Sequence, residues 1–295
     1  MPLRTIGIHS PGDMGATVGQ VLAAHGLRPI AALEGRSERT RALAARAGVE
    51  DVGSLATLVR ESDAILSILV PADAVAAAQQ VAAAMRAAGR APLYVDCNAV
   101  SAETARAVGE AIATAGAPYV DASIIGPPPR VPGKTRFYAS GAHAGAFAAL
   151  GAHGLDIRVL EGPVGHASAF KTCYASLTKG LNALGGVLFT YAHAMGLQGP
   201  LDEELRLSQP ALYPWLQRSL PTVPPKAHRF VGEMEEHGRA FEAAGLPGGM
   251  MRGAADVYRF MAGTSLGAER PESRTERGLD DVAAALAKAL APPKN

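Results

Sequence analysis

Short apolar runs alternate with longer amphipathic stretches over the first 160 or so residues. The runs are LRTIGIH (3–9), LRPIAALE (27–34), DAILSILV (63–70), PLYVDC (92–97), PYVDAS (118–123), RFYASG (136–141) and DIRVLE (156–161). Several are apolar on both faces, as strands are when helices cover both sides of a sheet. Between them, helical patterns cover 13–25, 37–47, 54–60, 72–88 and 101–115. This alternation predicts βαβ units and a largely parallel, doubly wound α/β sheet. After EGPVG (161–165) the pattern changes. A proline-free helical stretch runs from Ala167 to about Leu197, and the segment 199–230 then holds six prolines, so short helices and turns are expected. Further helices are predicted over 226–244, 250–262 and 279–290, with a polar loop at 264–278 and a frayed tail. The expected division is an α/β domain over 1–163 and an all-α domain over 164–295.

Composition narrows the function classes. Net charge is +1, from 28 basic and 27 acidic residues, which gives no electrostatic case for nucleic acid or an anionic membrane. No apolar run approaches the roughly 20 residues that span a bilayer. The opening MPLRTIGIHS goes directly into a strand pattern, without the apolar stretch of a secretory signal. Two cysteines, Cys97 and Cys173, are too few for a disulfide framework or a zinc cluster, so no metal is expected. A cytoplasmic protein with reduced thiols is the expectation.

The segment HSPGDMGATVG (9–19) follows the first strand and opens the first helix, the setting that a dinucleotide-binding loop requires. Gly12 lets the backbone approach a pyrophosphate, and Gly15 lets helix and strand pack closely. The helix N-terminus offers free N–H groups to phosphates. Ser10 stands at the tight-turn position, where glycine is usual; its hydroxyl can donate to a phosphate. Ser10, Pro11, Gly12, Asp13, Met14 and Gly15 are therefore candidate cofactor ligands, and the sheet is read as Rossmann-type. Cofactor choice is expected at LEGRSERT (33–40). Glu34 suits a ribose 2′-hydroxyl, as in NAD enzymes. Arg36 and Ser37, with Arg39 nearby, suit the 2′-phosphate of NADP. NADP is favoured and NAD remains open; the polar residues also suit a cap for the following helix.

GPVGHASAFKTCYASLTKGLNAL (162–184) is the second informative stretch. Lys171 lies early on the long helix, with Ala175, Thr178 and Asn182 on the same face. Lys179 and Lys288 read as ordinary solvated lysines. Asn98, after the fourth long strand run, reads either as a turn residue or as a holder of nicotinamide or substrate, because its amide both donates and accepts. Arg130 fits the edge of a pocket or an exposed loop equally well. His9 and His166 lie near the cleft in this reading, and a structural role is expected for His166.

Taken in order, IGIHSPGDMG (6–15), DAILSILVP (63–71), VDCNAVSAET (95–104), VDASIIGPPP (120–129) and GPVGHASAFK (162–171) resemble the β-hydroxyacid dehydrogenase superfamily. That superfamily includes 3-hydroxyisobutyrate and 6-phosphogluconate dehydrogenases. The closest likeness is to a divergent branch that carries DCNAVS, IIGPPP and VGEMEE-like signatures together. The resemblance implies hydride transfer between NAD(P) and a small β-hydroxy acid or related oxo compound. It implies Lys171 as general acid/base, Leu69 and Val70 at the cofactor-facing end of a strand, and a homodimer formed through the helical domain. It points to Ser123, Ile125, Gly126 and Tyr174 around the substrate. Desolvation and the oxidised nicotinamide are expected to bring the lysine toward the roughly 7–8 that suits a general base. Three positions depart from the family pattern. Ile125 replaces the substrate serine, Ala175 replaces an asparagine four residues after the lysine, and Gly232 stands where a second lysine is usual. Two other readings stay open: an imine reductase-like enzyme, against which Lys171 argues, and a non-catalytic NADP-binding or redox-sensing protein.

Overall fold

The structure is a computed structural model that describes residues 3–270 and 274–290. The expected frayed tail, 291–295, lies outside the described residues. The chain divides into two compact units at Thr172/Cys173. The sequence pattern places the change at 163/164; about the first two turns of the long helix His166–Ala194 belong to the first unit.

The first unit carries eight strands: β1 (Thr5–His9), β2 (Arg28–Ala31), β3 (Glu50–Asp51), β4 (Ala64–Ser67), β5 (Leu93–Asp96), β6 (Tyr119–Ile125), β7 (Arg136–Ser140) and β8 (Asp156–Val159). They form one sheet in the order β3-β2-β1-β4-β5-β6-β7-β8, parallel throughout except for the β6–β7 pair. Its helices are α1 (Asp13–Ala24), α2 (Glu38–Arg46), α3 (Leu55–Glu61), α4 (Ala74–Ala88), α5 (Ala102–Ala113), α6 (Ala144–Ala148) and the start of α7 (His166–Ala194). This is the α/β, Rossmann-type, mostly parallel architecture that the alternation predicts. Two elements go beyond it. β3 is two exposed residues with no apolar signal. α6 and the turn after it, in an Ala- and Gly-rich segment, are anchored by the buried Phe147 and Leu150.

Side chains alternate between the two faces of the sheet. One face packs Ile6, Ile8, Leu66, Val95 and Phe137 with Val18 and Leu22 of α1. The other packs Ile65, Tyr94 and Tyr119 with Val81 and Met85 of α4 and Val108 of α5. α2, α3 and α5 share one start signal: Ser37, Ser54 and Ser101 accept the N–H of Thr40, Thr57 and Thr104 at 3.3, 3.2 and 3.1 Å. Gly19 allows α1 to approach the sheet; a Cβ there would sit 2.5 Å from the Val49 side chain.

The second unit is all-helical among the described residues. It holds the rest of α7, α8 (Gln198–Ser208), α9 (Leu212–Ser219), α10 (Ala227–Ala243), α11 (Gly249–Ala262) and α12 (Leu279–Lys288). The proline-rich segment gives short helices and two 3₁₀ turns, at Leu220–Thr222 and Pro224–Lys226. α10 and α11 form a tight hairpin. A Cβ on Gly248 would lie 2.6 Å from the Gly238 carbonyl oxygen, so only glycine fits. Met234, Met251, Tyr258 and Met261 fill the core behind it. No described helix is long and apolar enough to cross a membrane.

Candidate functional site

The parallel strands β1, β4, β5 and β6 all end on one edge of the sheet. Chain connections leave β1 toward β2 on one side, and β4 lies on the other, so a crevice opens where the winding reverses. The register places His9 beside Ser67, Ser67 beside Asp96, Asp96 beside Asp121, and Asp121 beside Ser140. All five are buried, so a continuous polar row underlies this edge.

The first loop stands above β1. Ser10 has φ of 69°, the left-handed conformation that glycine adopts freely, and it is the one described non-glycine residue with positive φ. Its carbonyl accepts the Gly12 N–H at 2.8 Å. Gly15 is a packing glycine: a Cβ there would meet Ser10 O at 3.0 Å and Ile8 Cγ2 at 3.1 Å. Gly12 is different. A Cβ there would meet nothing within 4 Å, so no protein atom accounts for the glycine. Nor does any side chain cap α1, in contrast to the serine caps of α2, α3 and α5. An open cradle at an uncapped helix start fits a pyrophosphate. Pro11 is buried, and Met14 is partly buried with its side chain packed against the core. Asp13 is exposed in the first turn.

At the end of β2, Glu34, Arg36 and Ser37 are all exposed. The Ser37 hydroxyl caps α2 and lies 3.1 Å from Thr40 Oγ1. Arg36 lies close enough to His9 to act on its charge: burial, with Arg36 second, lowers the His9 imidazole to about 4. His9 is therefore neutral near pH 7, and its Nδ1 has no hydrogen-bond partner among the described residues.

At the ends of β4 and β5, Val70 is 63% exposed, whereas Asn98 is buried. Asn98 Oδ1 accepts the Leu69 N–H at 2.7 Å, and its amide donates to Ser67 Oγ at 3.0 Å and to Asp96. Three of its bonding positions are thus spent on the protein. Asn98 ties the two strand ends together and shapes the Leu69 backbone. Burial pushes the Asp96 carboxyl up to about 7, with Asp121 adding to it and Asn98 opposing it.

Asp96 and His9 impose opposite pH trends on stability. An unfolded aspartate ionises near about 3.9, so the Asp96 contribution is full below that pH and is lost as pH rises toward about 7. An unfolded histidine titrates near about 6.5, so the His9 contribution is present above that pH and is lost as pH falls toward about 4. Asp96→Asn removes the first trend. Its melting temperature relative to wild type is expected to rise between pH 5 and pH 8. A pH-independent offset in a calorimetric series would remove the buried, protonated carboxyl from this account.

β6 carries the remaining parts. Ser123 has no accessible surface, and its hydroxyl donates to Ala167 O at 3.0 Å. It joins β6 to α7, and its hydroxyl proton is spent on that bond. Ile125 is 3% exposed. Gly126 has φ of 124°, and a Cβ there would lie 2.3 Å from Lys134 O. Lys171 Nζ donates to the carbonyl of Ile124, one residue before the end of β6. The amine is therefore half-buried at the same sheet edge as the glycine loop. Arg130, on the loop after β6, pairs with Asp13 at the start of α1 and is half exposed. Tyr174 belongs to the second unit and is 43% exposed. His166 hydrogen-bonds Glu161 O at 3.1 Å, a structural contact.

Several residues escape sequence reasoning. Asp121 receives five hydrogen bonds: from the N–H groups of Gly165, Ala167 and Ser168 at 2.8, 3.1 and 3.2 Å, and from Ser140 Oγ and Ser168 Oγ at 2.9 and 2.6 Å. It caps α7 from another strand and so sets the height of Lys171. Lys179 departs from the solvated lysine that the sequence suggests. It is 17% exposed at its side chain, ion-paired with Glu233, and 4.9 Å from the centre of the Phe230 ring. Its neighbour Ser176 hydrogen-bonds His237 at 3.0 Å. Glu233 and His237 lie in VGEMEEHG, whose spacing of four puts both on one face of α10. Among the described residues, no group of three or more His, Cys, Asp or Glu side chains is arranged to hold a metal.

Comparisons with known proteins agree with this geometry. Residues 5–150 match the NAD binding domain of 6-phosphogluconate dehydrogenase, and residues 192–261 match DUF1932, a domain of unknown function. An uncharacterized 28.5 kDa protein from Methanothermus fervidus is 31% identical over 175 residues, which span 59% of this chain and 64% of that protein. Among solved structures, a conserved protein of unknown function, described as similar to 3-hydroxyacid dehydrogenases, is 28% identical. It aligns with a TM-score of 0.70 over 88% of this chain and 96% of its own. A 3-hydroxyisobutyrate dehydrogenase from Mycobacterium tuberculosis, solved with L-serine, shares the fold at 21% identity. Its TM-score is 0.71 over 98% and 100% of the two chains. The glycine loop, the polar sheet edge, the lysine at the end of β6 and these matches lead to one assignment: the chain belongs to the β-hydroxyacid dehydrogenase superfamily.

Proposed function

We propose that the protein is an NADP(H)-dependent oxidoreductase that interconverts a small β-hydroxy acid, or a related alcohol, and its oxo form. The observation that carries this reading is the Lys171 amine held at the Ile124 carbonyl, on the sheet edge that also bears the open Gly12 cradle. A bound nicotinamide cofactor supplies or accepts the hydride. The chain's own residues handle position and protons. The α1 N–H groups and the Gly12 cradle support the pyrophosphate. Arg36, with Ser37 beside it, faces the ribose 2′ position. Lys171 gives a proton to the substrate oxygen in reduction and takes it back in oxidation. The apolar Ile125 gives the substrate carboxylate no side-chain hydrogen bond, so substrate choice differs from that of serine-bearing relatives.

Two measurements test this. A panel of hydroxy and oxo acids with NADP(H) and NAD(H) is expected to show turnover. Turnover of cyclic imines alone would favour the imine reductase reading, against which Lys171 stands. Binding without any turnover would favour the sensing role. Separately, Arg36→Ala is expected to weaken NADPH about tenfold or more while sparing NADH, because it removes a charge-assisted bond to one phosphate. Equal weakening of both would take Arg36 out of cofactor choice.

We also propose a homodimer. On α7, Tyr174, Leu177, Leu184, Tyr191 and Met195 recur at spacings of three, four and seven, and each is 43–63% exposed. A stripe of that period suits a facing helix. Sedimentation equilibrium reads the assembly directly.

A further inference from the structure

We propose that Arg130 is a ligand of the cofactor's pyrophosphate and that its ion pair with Asp13 is the resting position of that arm. The inference rests on the nicotinamide-cofactor reading above.

The connection between β6 and β7 is built stiff. Pro127, Pro128, Pro129 and Pro132 restrict its backbone, and Gly126 and Gly133 take the two positive-φ positions. Thr135 Oγ1 donates to Pro127 O at 2.5 Å, which closes the loop, and Arg130 N donates to Pro128 O at 2.7 Å. The loop thus carries Arg130 as a preorganised arm, with little ordering entropy left to lose. The arm reaches Asp13, the first residue of α1, 117 positions away in sequence.

The charges there need explanation. An aspartate in the first turn suits the helix dipole, but it opposes a phosphate at the same helix start. Arg130 offsets that charge. Both partners are about half exposed, at 56% and 50%, and ion pairs this exposed contribute little to stability. A guanidinium has five N–H donors, and Arg130 gives one to Asp13. The rest of the fork is available for the two-pronged contact that phosphates accept. Gly12, next to Asp13, leaves open the space that such a phosphate would fill.

Titration of the full-length protein with NADPH, NADH, ADP-ribose and adenosine, followed by calorimetry, tests the proposal without requiring turnover. Arg130→Gln is expected to raise Kd about tenfold for NADPH, NADH and ADP-ribose alike and to leave adenosine unchanged. Arg130→Lys is expected to lie between Gln and wild type. Asp13→Asn is expected to tighten the three pyrophosphate ligands several-fold, because it removes the opposing charge and releases the arm. Unchanged Kd values in Arg130→Gln, beside normal wild-type binding, would overturn this inference alone. A loss confined to NADPH would also overturn it, since Arg130 would then read the 2′-phosphate. Failure of the wild-type protein to bind any of the four would overturn the cofactor reading itself.

Discussion

Lys171→Ala is expected to reduce hydride transfer by about 10²- to 10⁴-fold while NADPH still binds. The two functions separate because they sit on different elements. The proposed phosphate cradle is backbone from Ser10 to Gly15, whereas the amine comes from α7. The amine donates to the Ile124 carbonyl, which holds it at the sheet edge where a substrate oxygen is proposed to lie. Removal of the amine leaves the glycine loop and the α1 N-terminus as they were. Lys171→Met, which keeps the length of the side chain without the charge, is expected to match alanine, because the proton and not the volume matters. Single-turnover kinetics with cofactor in excess measures the step. If either variant turns over within about threefold of wild type, the general acid/base lies elsewhere.

The second large effect is on stability. Asp121→Ala is expected to cost about 4 kcal/mol or more, since it leaves buried N–H and hydroxyl donors without an acceptor. Three of those donors are backbone N–H groups at the start of α7, so the helix start loosens along with the loss of stability. Asp121→Asn is milder. One of its oxygens currently takes four of the five bonds, and an amide oxygen in the same place keeps them. Urea unfolding, with midpoint and slope both recorded, distinguishes the two variants. A cost under about 1 kcal/mol for alanine would mean that the α7 start finds another cap.

The fold was legible because its strands are apolar on both faces and its helices carry serine caps at fixed offsets. DAILSILV reads as a buried strand, and SERT reads as a helix start. Glu50–Asp51 does not read as a strand, because a two-residue edge pairing leaves no apolar trace. Phe147 and Leu150 sit in a run of alanine and glycine that resembles a loop, and their burial depends on neighbours distant in sequence. The site divides in the same way. The glycine loop is a local device, so a short motif reveals it. Asn98 and Ser123 stand where a ligand contact was reasonable, yet their polar atoms are spent on Leu69 and Ala167, partners that spacing cannot disclose. Lys179 looked solvated because Glu233 is 54 residues away, and only the fold of α10 brings them together. Asp121 is one polar letter in VDAS, and nothing local distinguishes a strand aspartate that caps a remote helix from one that faces water.

The row formed by His9, Ser67, Asp96, Asp121 and Ser140 has one more consequence. Side chains on a strand swap faces with every step along the chain. If β5 slid by one position against β4 or β6, its carboxylate would face hydrocarbon on the opposite side, and the Asn98 amide would lose Ser67 of β4. Misthreaded versions of the sheet are therefore penalised at five strands together. The same residues that floor the crevice act as a vernier, permitting a single alignment of the strands during assembly.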